Sequence, residues 1–317
     1  MRNKRKLGNS ALLVSPLTFG GNVFGWTLNE QESFKILDAF IESGFNFIDT
    51  ADTYSTWVAG NKGGESETII GNWLTKNGKR ADVVIATKVG GAMGDNKKGL
   101  SAKYIKEAAE ASLKRMGTDY IDLYQSHYDD PETPVSETMA AFNELITAGK
   151  VRYIGASNLS AERIKESNDF ARENNLAPYI SLQPLYNLYD RQKFENQYLK
   201  LATEESLAAI PYYSLASGFL TGKYRSEADL SKSLRGKGIK KYLDERGLKI
   251  LTAMDEVAAE QNVQLSQIAI AWLLQKPTIT SAIASATTVK QLSELARAVN
   301  LKLTDDQMHK LDSASAL

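Results

Sequence analysis

Four side chains of different chemistry occur in the first half of the sequence: Asp49, Tyr54, Lys88 and His127. A carboxylate and a phenol placed together could form a proton donor, provided that a nearby cation holds down the phenol's ordinary pKa of about 10. Lys88 follows an apolar run at 83–86, so its amine would lie at the edge of an apolar wall with Asp49 as its natural partner. We therefore predict that protonated Lys88 makes Tyr54 a better acid near neutral pH.

The segment 44–54 must position the first two of these groups. Phe45, Phe47 and Ile48 favour a short buried strand that begins after a glycine and stops at the carboxylate of Asp49. The strand would deliver Asp49 and Tyr54 to one rim of the fold.

The rest of the chain alternates strand-like and helix-like segments. Strands are predicted at 17–21, at the segment ending with residue 49, and at 82–88, 120–127, 151–156, 179–183, 207–213 and 280–284. Helices are predicted at 30–43, 65–76, 160–173, 196–206, 245–261 and 265–275, after the N-caps Ser101 and Thr133 (with Pro134 as first helical residue), and from the capping box of Thr304 and Gln307.

Eight βα units without a linker predict a (β/α)8 TIM barrel, with an N-terminal β-hairpin at 3–14 and an additional C-terminal helix. We expect one domain over residues 1–317. The alternative, a doubly wound sheet, would carry a glycine fingerprint in its first βα turn, and Gly20-Gly21 lacks it.

Composition excludes several classes of function. The 38 basic and 38 acidic residues balance, which argues against a nucleic-acid or polybasic membrane-surface protein. With no cysteine and two histidines, a disulfide framework or a zinc site is not expected. Without an apolar leader or an 18-residue apolar stretch, we expect a cytosolic protein with a small-molecule ligand.

In a barrel, the polar residues that end successive strands share one rim. In chain order they are Asp49, Lys88, His127, Ser157, Asn158, Gln183 and Tyr213. The motifs that contain them resemble those of the aldo-keto reductases over nearly the whole chain. These motifs are Gly-Phe-Asn-Phe-Ile-Asp-Thr-Ala-Asp-Thr-Tyr at 44–54, Ala-Thr-Lys at 86–88, Asp-Leu-Tyr-Gln-Ser-His at 122–127, Gly-Ala-Ser-Asn at 155–158 and Leu-Ala-Ser-Gly-Phe-Leu-Thr-Gly-Lys-Tyr at 215–224.

The resemblance implies a barrel that binds a nicotinamide dinucleotide and reduces carbonyl groups by direct hydride transfer. It implies that Tyr54 is the general acid and that Lys88 and Asp49 tune it. His127 would orient the carbonyl oxygen of the substrate.

The resemblance also implies a cofactor site. Ser157, Asn158 and Gln183 would hold the carboxamide, Tyr213 would stack on the nicotinamide with Tyr212 as an indifferent neighbour, and 215–223 would wrap the pyrophosphate. The expected cofactor contacts are Gly21, Asn22, Asp49, Ser157, Asn158, Gln183, Tyr213, Ser214, Leu215, Ser217, Gly218, Leu220, Lys223, Ser285, Thr287, Gln291 and Glu294.

Coenzyme choice depends on the segment after the last strand. Most members of the family use NADP and contact its 2′-phosphate with a basic side chain. Here the candidate donors are Ser285, Thr287, Thr288 and Gln291. No arginine is present, Lys290 is the nearest cation in sequence, and Leu295 replaces a common asparagine. We predict that NADPH is favoured and that NADH remains usable.

Aromatic residues are expected near the substrate. Trp26, Trp57 and Tyr128 fall in rim loops and could line a pocket for a small carbonyl or alcohol, although plain packing is as common an explanation. The loop at 55–63 is longer than usual for the family, and Leu215 replaces a frequent proline. Trp73 and Trp272 fit helix faces and are predicted to be core residues. The run 232–241 is basic enough to suggest contact with an anion, but a solvated loop is the favoured interpretation.

Two other functions remain open. Potassium-channel β subunits resemble the same family and use the cofactor-loaded barrel as a regulatory partner, which would favour an exposed apolar patch or a long N-terminal segment. A Schiff-base lyase could use Lys88 as its nucleophile, although Ser157, Asn158 and Tyr213 would then have no role.

Overall fold

The computed structural model describes residues 4–94 and 97–316. The chain begins with an antiparallel hairpin of β1 (Arg5–Lys6) and β2 (Leu13–Val14). The predicted hairpin at 3–14 is confirmed, apart from residue 3, which lies outside the described residues. Its apolar side chains pack into a cluster with side chains of the following strands: Leu7, Leu12, Val14, Phe47, Val84, Ala86, Leu123, Ile180, Ala208 and Ile210. The hairpin therefore closes one end of the main sheet.

Eight parallel strands form this main sheet. They are β3 (Leu17–Gly20), β4 (Phe47–Asp49), β5 (Val84–Val89), β6 (Ile121–Ser126), β7 (Val151–Ser157), β8 (Tyr179–Gln183), β9 (Ala208–Ala209) and β10 (Ala282–Ala284). Neighbours in the chain are neighbours in the sheet, and β10 pairs with β3. A parallel bridge between Ala209 and Ile279 links the two remaining edges. This is the predicted barrel, since a doubly wound sheet would reverse its strand order internally.

Helices follow the strands and cover the outside of the barrel. They are α1 (Glu30–Glu42), α2 (Glu65–Asn77), α3 (Ala102–Met116), α4 (Val135–Thr147), α5 (Ala161–Glu173), α6 (Leu199–Glu204, preceded by a π-helical turn), α7 (Glu245–Gln261), α8 (Leu265–Leu274), α9 (Val289–Ala298) and α10 (Asp305–Ser315). Ser101 caps α3, and Thr304 and Gln307 form the predicted capping box of α10. Trp73 and Trp272 are fully buried, as predicted.

Two of the predicted boundaries that differ from the structure have a clear physical cause. The hydroxyl of Thr133 donates to Asp130 Oδ2 at 2.7 Å instead of capping α4, and Pro134 takes the cap position with a non-helical ψ of 142°. The seventh strand is much shorter than 207–213, because Pro211 has no N–H to donate and Tyr213 turns the chain with a positive φ of 54°.

The long segment at 224–247 contains two 3-10 stretches, Glu227–Lys232 and Gly236–Tyr242. Tyr242 anchors it, because its ring stacks on Phe219 at 5.3 Å and its hydroxyl donates to Asp190 Oδ2 at 2.8 Å. The segment is thereby held over the carboxyl ends of the strands.

Candidate active site

The carboxyl ends of the strands surround a cavity of about 1230 Å³. Barrel enzymes build their active sites at this end, and ordinary small-molecule pockets have volumes of about 300–1,000 Å³. The predicted residues on its wall are Asn22, Trp26, Tyr54, Trp57, His127, Tyr128, Ser157, Asn158, Gln183, Tyr213, Ser214, Leu215, Ser217, Gly218, Lys223, Ser285, Thr287, Gln291 and Glu294. The cavity is large enough for a dinucleotide and a small substrate together.

Lys88, Asp49 and Tyr54 form a triangle of hydrogen bonds beside this cavity. Lys88 Nζ donates to Asp49 Oδ2 and to Tyr54 Oη, each at 2.8 Å, and Tyr54 Oη donates to Asp49 Oδ2 at 3.1 Å. The remaining ammonium proton points to the carbonyl oxygen of Thr50 at 2.7 Å. Lys88 and Asp49 are fully buried, so the ion pair is desolvated and Tyr54 alone of the three reaches the cavity wall.

The other oxygen of Asp49 accepts from two amides. Gln183 Nε2 lies 2.8 Å from Asp49 Oδ1 and Gln125 Nε2 lies 3.4 Å from it. Gln183 therefore orients the carboxylate besides lining the cavity. Gln125 was not predicted as a site residue, although an amide side chain inside a buried strand needs a polar partner there.

The electrostatics of Tyr54 differ from the prediction that a cation lowers its pKa. Burial is the main cause, and with the charge of Asp49 it raises the pKa of Tyr54 well above 10. Burial also lowers the pKa of Lys88, and Asp49 opposes that change. Because the positive charge of Lys88 is balanced by Asp49, Tyr54 carries its proton at neutral pH. It can still protonate a group as basic as an alkoxide.

His127 lies directly after β6 and is nearly buried. Its ring stacks on Tyr128 at 4.4 Å and lies 6.2 Å from the ring of Tyr54. Burial, followed by the charge of Lys88, lowers the pKa of His127 well below 6.5. The imidazole is therefore neutral and can donate one N–H to an oxygen in the cavity.

Asn158 is fixed by three neighbours. Its Nδ2 donates to the carbonyl oxygen of His127 at 2.9 Å and to Ser157 Oγ at 3.1 Å, and its Oδ1 accepts from Tyr212 Oη at 2.9 Å. Tyr212 is thus a support of the site and not the indifferent neighbour that the sequence analysis expects.

Tyr213 offers an aromatic surface to the cavity. Its side chain is 49% exposed, and its φ of 54° is uncommon for a residue other than glycine. Asn187 Nδ2 donates to its carbonyl oxygen at 3.0 Å and helps to hold this conformation. An exposed ring held in this way is suited to stacking on a planar ligand.

Three residues of the expected cofactor set, Asp49, Gly21 and Leu220, do not lie on the cavity wall. Leu220 is fully buried in the core, and its N–H donates to the carbonyl oxygen of Leu215 at 3.2 Å. Gly21 is also buried, and its carbonyl oxygen accepts from Ser66 Oγ at 2.8 Å. Gly21 and Leu220 shape the turns behind the wall, and a direct contact of either residue with the cofactor remains a prediction.

The segment after β10 lies on the cavity wall as predicted. Thr288 caps α9 by accepting from Gln291 N at 3.2 Å, and the Gln291 side chain accepts from Thr287 N at 2.8 Å. These bonds place hydroxyls, an amide and a helix N-terminus beside the cavity, a combination that suits an anion. Lys290 is exposed and does not lie on this wall.

Arg235 is a cavity residue that the sequence analysis missed. It lies within the basic run predicted to be solvated, yet its guanidinium packs over the ring of Trp26 at 5.1 Å. With the Asn22 amide nitrogen donating to Ser285 Oγ at 2.7 Å, the Asn22 oxygen accepts from Arg235 Nη2 at 3.3 Å. Burial lowers the pKa of Arg235 from its usual value. A cation from a distant loop therefore adjoins the segment after β10.

Aromatic rings line the mouth of the cavity. Trp57 lies 5.6 Å from Trp26 and 6.3 Å from the ring of Tyr54, each pair edge to face. Trp57 is carried by the long loop at 55–63, which Asn61 fixes by donating to the carbonyl oxygens of residues 25 and 55 at 3.0 Å. With Tyr128, these rings lie on the same cavity wall as Tyr54.

Within residues 4–94 and 97–316, no helix combines the length and apolar character needed to cross a membrane. Nor does any group of three or more acidic or histidine side chains in this part of the chain form a metal site.

Known proteins match the chain over almost its full length. The family model described as the Aldo/keto reductase family matches residues 16–316. A probable voltage-gated potassium channel subunit beta of Arabidopsis thaliana is 38% identical over 305 residues, covering 94% of this chain and 91% of that protein. An aldo-keto reductase of Fusarium vanettenii is 32% identical, covering 98% and 90%. Norsolorinic acid reductase B of Aspergillus parasiticus is 32% identical, covering 96% and 80%.

Proposed function

This chain belongs to the aldo/keto reductase family and is an oxidoreductase of aldehydes, ketones or their alcohols, and we propose that it uses NADPH and that Tyr54 is its proton donor. The observation that carries the proposal is the buried pair of Lys88 and Asp49 joined to a tyrosine on the cavity wall. Tyr54 can therefore reach a bound carbonyl while its partners stay dry.

The cavity wall suits a dinucleotide. Lys223 and Arg235 bring positive charge to it, Tyr213 offers an exposed ring, and Asn158 is held rigidly beside the catalytic residues. We propose that the two cations contact phosphates and that the ring stacks on the nicotinamide. When bound, the reduced nicotinamide supplies the hydride.

In reduction, Tyr54 gives its phenolic proton to the carbonyl oxygen as that oxygen becomes an alkoxide. Lys88 Nζ, at 2.8 Å from the phenolic oxygen, stabilises the phenolate that remains. Neutral His127 donates a hydrogen bond to the same substrate oxygen and so orients it. Oxidation of an alcohol returns the proton to Tyr54.

The proposal is tested by following NADPH consumption with an activated aromatic aldehyde. We expect turnover that requires both compounds and yields one alcohol for each NADPH consumed. Absence of turnover across aliphatic and aromatic aldehydes, although NADPH binds, would contradict the assignment.

Tyr213→Ala is expected to weaken cofactor binding by roughly 0.5–1.5 kcal/mol beyond the loss of contact area, because the stacking ring is removed. Tyr213→Phe keeps the ring and serves as the matched control. Fluorescence titration with NADPH measures both. Equal affinities of the alanine variant and the parent protein would exclude stacking by this side chain.

NADPH is expected to be preferred over NADH, with NADH still used. Arg235 beside Asn22 and Ser285 provides a cation on the cavity wall, whereas Lys290 of the segment after β10 does not lie on that wall. We propose that Arg235 contacts the 2′-phosphate. A hydrogen bond to a charged group is worth about 1.5–3 kcal/mol, so Arg235→Gln should lower the NADPH-to-NADH ratio of kcat/KM by about tenfold or more. The exposed Lys290→Gln is the control and should leave the ratio unchanged. A parent enzyme that prefers NADH would exclude a phosphate site here.

The lyase alternative requires a free amine on Lys88. Each ammonium proton of Lys88 already has an acceptor, and the side chain is fully buried behind Tyr54. A substrate carbonyl would have to displace this ion pair before attack. Borohydride reduction with substrate should therefore leave Lys88 unmodified.

A regulatory role is the second candidate, because the Arabidopsis relative is named a probable channel β subunit. The mouth of the cavity carries the exposed rings of Trp57, Tyr128 and Tyr213 together with Leu234. The other large exposed apolar side chains of the described residues, Leu13, Leu248 and Val289, lie on three different elements. The apolar exposure therefore favours a ligand at the cavity over an apolar docking face elsewhere.

We further propose that residues 1–317 form one domain and that the protein is cytosolic. Pairing of β10 with β3 joins the two ends of the chain within one barrel, which supports a single folding unit. The absence of cysteine agrees with a reducing compartment.

A further inference from the structure

Asp52 is a buried acid that the proposed mechanism does not use. It lies between Asp49 and Tyr54 in sequence, and its N–H faces the carbonyl oxygen of Lys88 at 3.5 Å. It is 1% exposed, and within the described residues neither carboxyl oxygen makes a hydrogen bond of good geometry, although the N–H of Thr53 acts on the carboxyl group. An ionised carboxylate in such a place is costly unless a cation is near.

The two cations of this region, the fully buried Lys88 and the partly exposed Arg115, are already paired. Lys88 pairs with Asp49 at 2.8 Å, and Arg115 pairs with the fully buried Glu67 at 2.7 Å. Ionised Asp52 would be a third negative charge against two positive ones. Its charge is therefore not balanced.

The groups that face Asp52 come from every element packed around it. They are Lys88 from β5, Glu67 from α2, Tyr104 and Arg115 from α3, Tyr124 from β6 and Tyr128 from the loop after β6. The hydroxyl of Tyr124 is also buried without a hydrogen-bond partner among the described residues. None of these groups adds a cation beyond the two already paired.

We propose that Asp52 is a neutral carboxylic acid near neutral pH and that its ionisation in alkaline solution holds the proton on Lys88. The effect on catalysis rests on the proposed function, because Lys88 acts through Tyr54. Asp52 does not line the cavity, so it is a positioning residue that sets the charge behind the proton donor.

Electrostatics support this assignment. Burial is the main cause that raises the pKa of Asp52 to about 8, and Glu67 adds to it. Arg115, the N–H of Thr53 and Lys88 oppose the rise without overcoming it. In return, the charge of Asp52 raises the pKa of Lys88 against the effect of burial. In a weakly screened interior, such a charge acts over several ångströms.

The protonation state is tested by thermal unfolding at several pH values. The pKa of Asp52 is about 8 in the folded protein and 3.8 ordinarily, so the folded state binds the proton more tightly than the unfolded state does. The parent protein should therefore lose stability as the pH rises from about 4 to about 8. Asp52→Asn resembles the neutral acid and does not ionise. The difference in Tm between this variant and the parent should therefore increase from about pH 4 to pH 8 and stay constant above that range. The exposed Asp82→Asn should parallel the parent. A constant difference between Asp52→Asn and the parent would overturn the proposal.

Glu67→Gln provides a second test that does not require a variant of Asp52. It removes a negative charge near Asp52 and leaves Arg115 without its partner, and both changes should lower the pKa of Asp52. The pH at which the loss of stability attributed to Asp52 is complete should therefore be lower. An unmoved window would contradict the assignment.

The link to Lys88 is tested by the pH–rate profile of carbonyl reduction. In Asp52→Asn the alkaline fall in kcat should begin at a pH lower by on the order of one unit, because the charge that keeps Lys88 protonated is gone. An unchanged alkaline limb would overturn this link. Failure of the proposed function is distinguishable, since it would appear as absence of carbonyl reduction by the parent or as full activity of Tyr54→Phe, whatever the unfolding curves of Asp52→Asn show.

Discussion

Tyr54→Phe is expected to lower turnover by about 10²–10⁴-fold, the usual contribution of a positioned proton donor. The hydroxyl that is removed lies 2.8 Å from Lys88 Nζ and 3.1 Å from Asp49 Oδ2. The ring remains, so its edge-to-face contacts with Trp57 and His127 can persist. Cofactor affinity should therefore be retained while the chemical step is lost.

Single-turnover reduction of an activated aldehyde, together with titration of NADPH, separates these two effects. Tyr153→Phe is the matched control, because its hydroxyl accepts from the N–H of Ala11 in the N-terminal hairpin, away from the cavity. Reduction by Tyr54→Phe at the parent rate would show that another group supplies the proton. Loss of NADPH binding would instead point to a role in shaping the cavity.

The positions of the strand-end residues were predictable because a barrel has one simple rule. Parallel strands that alternate with helices bring their carboxyl ends to the same rim. Asp49, Lys88 and His127 could thus be placed together, although they are separated by many residues. Apolar runs and caps, such as the capping box of Thr304 and Gln307, are local signals and were read correctly.

The residues that were missed depend on contacts between distant parts of the chain. Arg235 comes from a long loop without a repeating apolar pattern, and only folding brings its guanidinium to Trp26 and Asn22. Tyr212 looks like the interchangeable neighbour of Tyr213 until its hydroxyl is found on the Asn158 amide. Such side-chain contacts cannot be predicted from the spacing of residues along the sequence.

The direction in which the pKa of Tyr54 is shifted could not be predicted from the sequence either. Adjacent residue types suggest that a lysine makes the phenol more acidic, but the sign depends on burial and on the balancing charge. In the structure, Asp49 lies as close to Lys88 as Tyr54 does, so the lysine does not act as a free cation. When Tyr54 becomes a phenolate, Lys88 stabilises it as one half of an ion pair with Asp49 whose net charge is zero.

Lys88→Met is expected to lower turnover and to raise the apparent pKa of the catalytic acid, because the cation beside the phenolate is lost. It should also lower the free energy of unfolding by about 3–5 kcal/mol, since it leaves a buried carboxylate without its counter-ion. Asp49→Asn should shift the apparent pKa of the acid in the opposite direction, because the charge of Asp49 raises the pKa of Tyr54.

The double variant Lys88→Met with Asp49→Asn distinguishes catalysis from folding. It removes both charges, so its free energy of unfolding should recover relative to Lys88→Met, whereas turnover should stay low because the phenolate still lacks a cation. Urea unfolding and pH–rate profiles of the three variants provide the measurements. If both single variants kept the parent pH–rate profile, Lys88 and Asp49 would not be the groups that tune Tyr54. If the double variant recovered turnover together with stability, the pair would serve the fold alone.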